Sequence, residues 1–176
     1  MAIERLSACE FVELGYGQVE PNHLSAQRTS QIYAQLPMGN GVDLLENGQF
    51  AKYNYAEGVV NFEGDSEWML VFNAIKLYDE DETDADFAMK RVAAKKGPII
   101  GVSTDLVPRL FKTNVGDIFT TNTIKVANPE VGTTILAPGE DGYLAEAGED
   151  ATMKWQVVKV YTMPDGQKGV KIMRIA

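Results

Sequence analysis

The sequence predicts a mainly β fold at the α+β margin: an antiparallel sandwich or barrel with one helix over about 84–96 and a polar N-terminal arm over 1–38. Three observations predict it. Short runs rich in β-branched and aromatic residues recur along the chain. Turn signals separate them, among them Asn47-Gly48, Asn128-Pro129 and Pro164-Asp165-Gly166. A single segment carries convincing helical periodicity with matching end signals at both termini.

The first 38 residues differ from the rest. Pro21-Asn22-His23-Leu24-Ser25-Ala26-Gln27-Arg28-Thr29 and the stretch to Pro37 are polar and only sparsely apolar. Leu24, Ile32, Tyr33 and Leu36 do not form one stripe, so the segment reads as a short helix or an extended arm. Residues 39–176 read as the β-rich domain, and a further division near Gly97 is compatible with the composition. Asn47-Gly48 between Val42–Glu46 and Gln49–Tyr55 predicts a hairpin on a type I′ turn, with Ala51, Tyr53 and Tyr55 on one face. Val59–Phe62 reads as a further strand, and Trp68–Tyr78, apolar on both faces, as a central one.

Thr83 or Asp84 can cap the helix, and Asp84 and Asp86 place negative charge in its first turn. Lys90, Arg91, Lys95 and Lys96 fall toward its end, and Gly97-Pro98 stops it. Ala85, Ala88, Met89, Val92 and Ala93 would form its buried stripe. Beyond it the chain reads as all β, through Ile99–Val102, Val115–Val126, Thr133–Ala137 and Tyr143–Ala145. The last two strands, Lys154–Thr162 and Gly169–Ile175, predict a second hairpin around Pro164-Asp165-Gly166. Strict alternation puts Trp155, Val157 and Tyr161 on one face and Val158 and Val160 on the other.

The chain has 176 residues, enough for one domain or two small ones that bury roughly 70% of their unfolded surface. A net charge of −9 with no basic stripe argues against a role in neutralising phosphates or an anionic membrane. Cys9 is the only cysteine, which fits synthesis in a reducing cytosol. The first residues carry charge from Glu4 onward and show no apolar signal region. No window has the apolar length of a membrane-spanning helix.

His23 is the only histidine, and Pro21-Asn22 and Leu24-Ser25 around it offer no nucleophile motif, so a surface or structural role is expected. Cys9 sits beside Glu10, which would raise rather than lower a thiol pKa, so a structural thiol is expected. One Cys and one His cannot make a typical zinc site. The acidic run Asp79–Asp86 offers Asp79, Asp81, Asp84 and Asp86 as cation ligands. It fails the EF-hand pattern, because Asp84 and Lys90 stand where Gly and Glu are required, so it reads first as a solvated loop. Glycine-rich phosphate loops are absent, no cofactor is expected, and no catalytic residue is assigned.

Several stretches resemble structural proteins of tailed-phage virions, especially small capsid-associated or decoration proteins. They are Leu24-Ser25-Ala26-Gln27-Arg28-Thr29, Ile32–Pro37, Leu45–Phe50, Trp68–Asn73, Val115–Asn122 and Leu136–Tyr143. The resemblance implies a non-enzymatic, β-rich subunit of the virion, made in the host cytoplasm. It implies a homo-oligomer whose partners are the major capsid protein or other virion subunits, with no direct nucleic-acid or membrane contact. On that reading the arm supplies partner contacts through Leu24, Arg28, Ile32, Tyr33 and Leu36, and removing residues 1–36 should leave a folded core. The competing expectation is a carbohydrate- or small-ligand-binding β-domain, Ca²⁺-assisted through the 79–86 loop. A hydrolase using paired carboxylates is a third expectation.

Overall fold

The computed structural model describes residues 17–39, 41–42, 44–73, 89–90, 107–164 and 166–176. In chain order its elements are β1 (Val19–His23), α1 (Ser25–Thr29), β2 (Ile32–Tyr33), β3 (Leu44–Leu45), β4 (Phe50–Asn54), β5 (Val59–Asn61) and β6 (Met69–Val71). There follow β7 (Met89–Lys90), β8 (Leu110–Phe111), β9 (Ile118–Thr121), β10 (Ile135–Pro138), β11 (Leu144–Glu146), β12 (Trp155–Thr162) and β13 (Lys168–Arg174). They form a six-stranded sheet, β1-β9-β13-β12-β10-β11, a five-stranded sheet, β2-β8-β6-β4-β5, and the small pair β3-β7. Both large sheets are antiparallel and open, so the fold is mainly β and sandwich-like rather than a closed barrel.

Period-2 alternation explains the two cores. Phe50, Leu70 and Phe111 point from the five-stranded sheet toward Phe119, Leu136, Trp155, Val157, Val170 and Ile172 of the six-stranded sheet. Phe119 and Trp155 meet edge to face at 5.0 Å, and Phe50 lies 5.7 Å from Trp155. The next residues along the same strands, Ala51, Met69, Val71 and Leu110, point the other way into a second core closed by Met38, Val42 and Leu45. β6 is therefore buried on both faces and lies at the centre of its sheet, as expected of the Trp68–Tyr78 run, but the strand ends at Val71: Phe72 and Asn73 follow it outside the ladder, and 74–78 lie outside the described residues.

Asn47-Gly48 does turn the chain, but no hairpin results. β3 pairs with β7, while β4 pairs with β5 and β6. Gly48 has φ +89°, whereas Asn47 keeps a negative φ, and the Gln49 N–H donates to Glu46 O at 3.2 Å. One left-handed residue at the third position is the type II pattern, which splays strands where a primed turn would pair them. Asn47 is held there by tertiary contacts: its Oδ1 accepts from the Asn73 N–H at 2.7 Å and its carbonyl accepts from Thr123 Oγ1 at 2.7 Å. The actual hairpin, β4–β5, turns at Tyr55–Gly58, where Gly58 N–H donates to Asn54 O at 2.9 Å.

The second predicted hairpin forms, with β12 against β13 over seven paired positions. Its face assignment needs one correction. The register slips between Val157 and Lys159, so Val158 is an extra residue, a β-bulge. Past it the faces exchange. Val160 packs on the inter-sheet core, and Tyr161, paired with Gly169, turns to the outer face.

The polar N-terminal segment is built into the fold from Gly17 onward. β1 is an edge of the six-stranded sheet and β2 an edge of the five-stranded sheet, so these residues bridge the two layers. Leu24 and Ala26 are buried in the inter-sheet core, so deleting residues 1–36 would remove core as well as edge strands. Leu24 cannot cap α1, and Asp117, 92 residues away, does so instead: it accepts from Ser25 N–H at 2.9 Å and Ser25 Oγ at 2.8 Å. Of the helix expected over 84–96 only Met89 and Lys90 are described, and their main chain forms β7 with β3 rather than a helical turn. The ladder to Leu44–Leu45 satisfies the main-chain groups there and overrides local helical propensity.

Candidate functional site

Asp79, Asp81, Asp84, Asp86 and Cys9 lie outside the described residues. Among the described residues no group of three or more His, Cys, Asp or Glu is arranged to hold a metal ion. His23 is exposed at the end of β1, beside a register shift between Glu20 and His23. The five candidate contact residues of the N-terminal segment divide unequally. Leu24 is buried, Ile32 packs on the inter-sheet core, and Tyr33 and Leu36 pack on the second core. Arg28 alone of the five stands exposed.

The structure brings together two polar constellations that local sequence does not reveal. The first lies inside. Glu46 is fully buried, and its carboxylate accepts from Tyr143 OH at 2.6 Å and from the Gly17 N–H at 3.2 Å. Gln49 beside it accepts from the Glu46 N–H at 3.0 Å and donates to Asp141 O at 2.7 Å. Asn122 accepts from the Gln18 N–H at 2.7 Å and donates to Gln167 Oε1 at 2.7 Å. Phe50 N–H donates to Gly142 O at 2.7 Å, joining the two sheets through their main chains. Gly142 has φ +76°, and a Cβ there would stand 1.9 Å from Phe50 O, so glycine is required. These groups tie together segments far apart in sequence. Buried polar atoms must be paired, and a satisfied network fixes one arrangement of the strands around it.

The second constellation lies on the outer face of the six-stranded sheet. Tyr161, on β12, reaches across Gly169 of β13 toward β9 and β1. Its hydroxyl donates to Glu20 Oε2 at 2.5 Å and lies 2.9 Å from Thr120 Oγ1, which in turn donates to Asn22 Oδ1 at 2.8 Å. One side chain thus links four adjacent strands. Lys159 and Lys171, opposite each other in register, flank the ring with Nζ atoms 5.2 and 5.6 Å from its centroid. Burial, then the hydrogen bond to the Glu20 carboxylate, pushes the Tyr161 hydroxyl above the usual tyrosine pKa. Burial also raises Tyr53, whose hydroxyl accepts from the Gln35 N–H at 3.1 Å, a bond that partly offsets the rise.

No family model, curated protein or solved structure matches the chain.

Chemically, the interior constellation is a set of acceptors and donors already matched to one another. The outer constellation engages its hydroxyls with Glu20 and Asn22 but presents two ammonium groups and an aromatic ring on a partly exposed sheet surface. Sequence reading missed it because the Val158 bulge exchanges the faces of β12. The available signal was the Lys159-x-Tyr161 spacing, which places both side chains together on either face.

Proposed function

We propose that the chain is a non-catalytic structural subunit of a tailed-phage particle, binding the capsid lattice or neighbouring subunits as a decoration or stabilising component. One observation carries this reading. Two buried carboxylates, Glu46 and Asp117, act as cross-links, holding Tyr143 and Ser25 at sequence separations of 97 and 92 residues. Their acceptor capacity is committed to joining distant segments into one rigid body, which suits a component that must resist particle strain. The resemblance of Leu24–Thr29, Leu45–Phe50 and Leu136–Tyr143 to virion structural proteins supports the same reading. The aromatic and basic side chains on the outer face of the six-stranded sheet supply a surface for lateral contact. Purification of particles from the source that encodes the chain, followed by peptide mass spectrometry, tests the proposal. The expected result is the chain at a copy number comparable with the capsid lattice. Its absence from purified particles would overturn the proposal.

A further inference from the structure

Lys159 and Lys171 stand directly opposite each other on adjacent strands. Like charges in that position repel; here the Tyr161 ring lies between them, and its hydroxyl holds the Glu20 carboxylate on the same face. Among the described residues neither lysine forms an ion pair.

The same sheet ends in an acidic rim. Glu130 lies in the turn before β10, Glu146 closes β11, and Glu149 and Asp150 form the turn into β12, all exposed. The start of β10 holds this rim together: Ala147 N–H donates to Ile135 O at 2.9 Å, and Glu130 N–H donates to Thr134 Oγ1 at 2.8 Å. Lys154 is the rim's own cation, with Nζ donating to Glu149 O at 3.1 Å.

Glu146 of the rim and the lysine pair are separated along β12 and across β10, by about 13 Å in one direction and about 10 Å in the other from strand geometry. That exceeds the screening length of about 8 Å at physiological ionic strength. The two charge sets therefore do not neutralise each other within one molecule, but between copies they can.

We propose that the Lys159–Tyr161–Lys171 face of one copy docks on the Glu146–Glu149–Asp150 rim of a second copy, in a head-to-tail contact. This deepens the structural-subunit reading and rests on it. A head-to-tail contact repeats from copy to copy and builds a ring or an extended array. The acidic partner is the chain itself because a complementary rim lies on the same sheet, where Lys154 donates to the Glu149 main-chain carbonyl rather than to a rim carboxylate.

Sedimentation velocity of the full chain at low and high salt tests the proposal, with Lys159→Glu/Lys171→Glu and Glu146→Lys/Glu149→Lys as variants. Thermal unfolding followed by circular dichroism checks that each is folded, and Lys159→Ala/Lys171→Ala serves as the milder second variant. The wild type is expected to associate at low salt and dissociate as salt rises. Each charge-reversed variant alone should sediment as a monomer, and their equimolar mixture should associate again, because reversed face meets reversed rim. A wild type that stays monomeric at low salt overturns the proposal. So do reversed variants that associate like the wild type, or a mixture that stays monomeric. Binding of the monomeric wild type to a polyanionic resin, lost in the lysine variants, would assign the face to another acidic partner instead. The structural-subunit reading fails separately, by absence of the chain from purified particles.

Discussion

The two large sheets are built from similar strands but finished differently. The five-stranded sheet is covered on both faces at its centre, where Leu70 meets the inter-sheet core and Met69 and Val71 meet the second core. Among the described residues, the six-stranded sheet packs a core on one face, and its outer face carries Lys159, Tyr161, Lys171 and the hydrogen bonds of Tyr161 with Glu20 and Thr120. The half-covered sheet can present polar chemistry without uncovering the core. Its regular strands are kept in plane by a side chain lying across them, and its bulge decides which side chain that is.

The comparison can be broken in several places. The largest effect is expected from removing residues 17–36, which takes away an edge strand from each sheet together with Leu24 and Ala26. The truncated chain should lose its cooperative thermal transition by circular dichroism, and a preserved transition would show that the bridge is dispensable. Next comes Phe50→Ala, where the ring lies between Phe119 and Trp155 at 6.2 and 5.7 Å. Urea unfolding should report a loss of about 3–5 kcal/mol, the usual cost of emptying an aromatic core site. Replacing Glu46 by Ala removes a buried acceptor of the Tyr143 hydroxyl and the Gly17 N–H, and about 1–3 kcal/mol should be lost in the same assay.

Tyr161→Phe removes the hydroxyl that links β12 to β9 and β1, with an expected cost of about 1 kcal/mol at neutral pH. Its pH dependence sharpens the comparison. The folded-state pKa is raised above the unfolded value of 10.0, so the protonated hydroxyl's contribution is complete below pH 10 and lost as pH rises through the folded value. Stability of the wild type should therefore fall above pH 10, and less steeply in Tyr161→Phe. An identical slope would show that this hydroxyl does not couple to folding. The smallest effect belongs to the exposed pair of Lys125 and Asp141: Asp141→Asn should change the unfolding free energy by less than about 1 kcal/mol and lose even that in high salt.

Local pattern was enough for part of this architecture. The Pro164–Gly166 turn between two alternating runs yields β12 and β13, and the uniformly apolar Met69–Val71 yields a strand buried on both faces. Little of the candidate site was legible in that way. Lys159, Tyr161 and Lys171 carry ordinary strand residue types, and their grouping with Glu20 and Thr120 depends on which strands become neighbours. Glu46 and Gln49 are polar residues at a turn signal, and only the tertiary structure encloses them.

By itself, then, the sequence determined a mainly β fold, an acidic surface and the C-terminal hairpin, because alternation and turn chemistry act over a few residues. Tertiary structure alone decided three things. It held Asn47 in a turn that parts β3 from β4, through Asn73 and Thr123. It drew Leu24 and its neighbours into the core, with Asp117 capping α1 from a distance. It inserted Val158 as a bulge, sending Val160 inward and Tyr161 outward. The physical reason is common to all three. Each depends on hydrogen bonds and packing between segments distant along the chain, and such contacts override a local preference of about 1 kcal/mol.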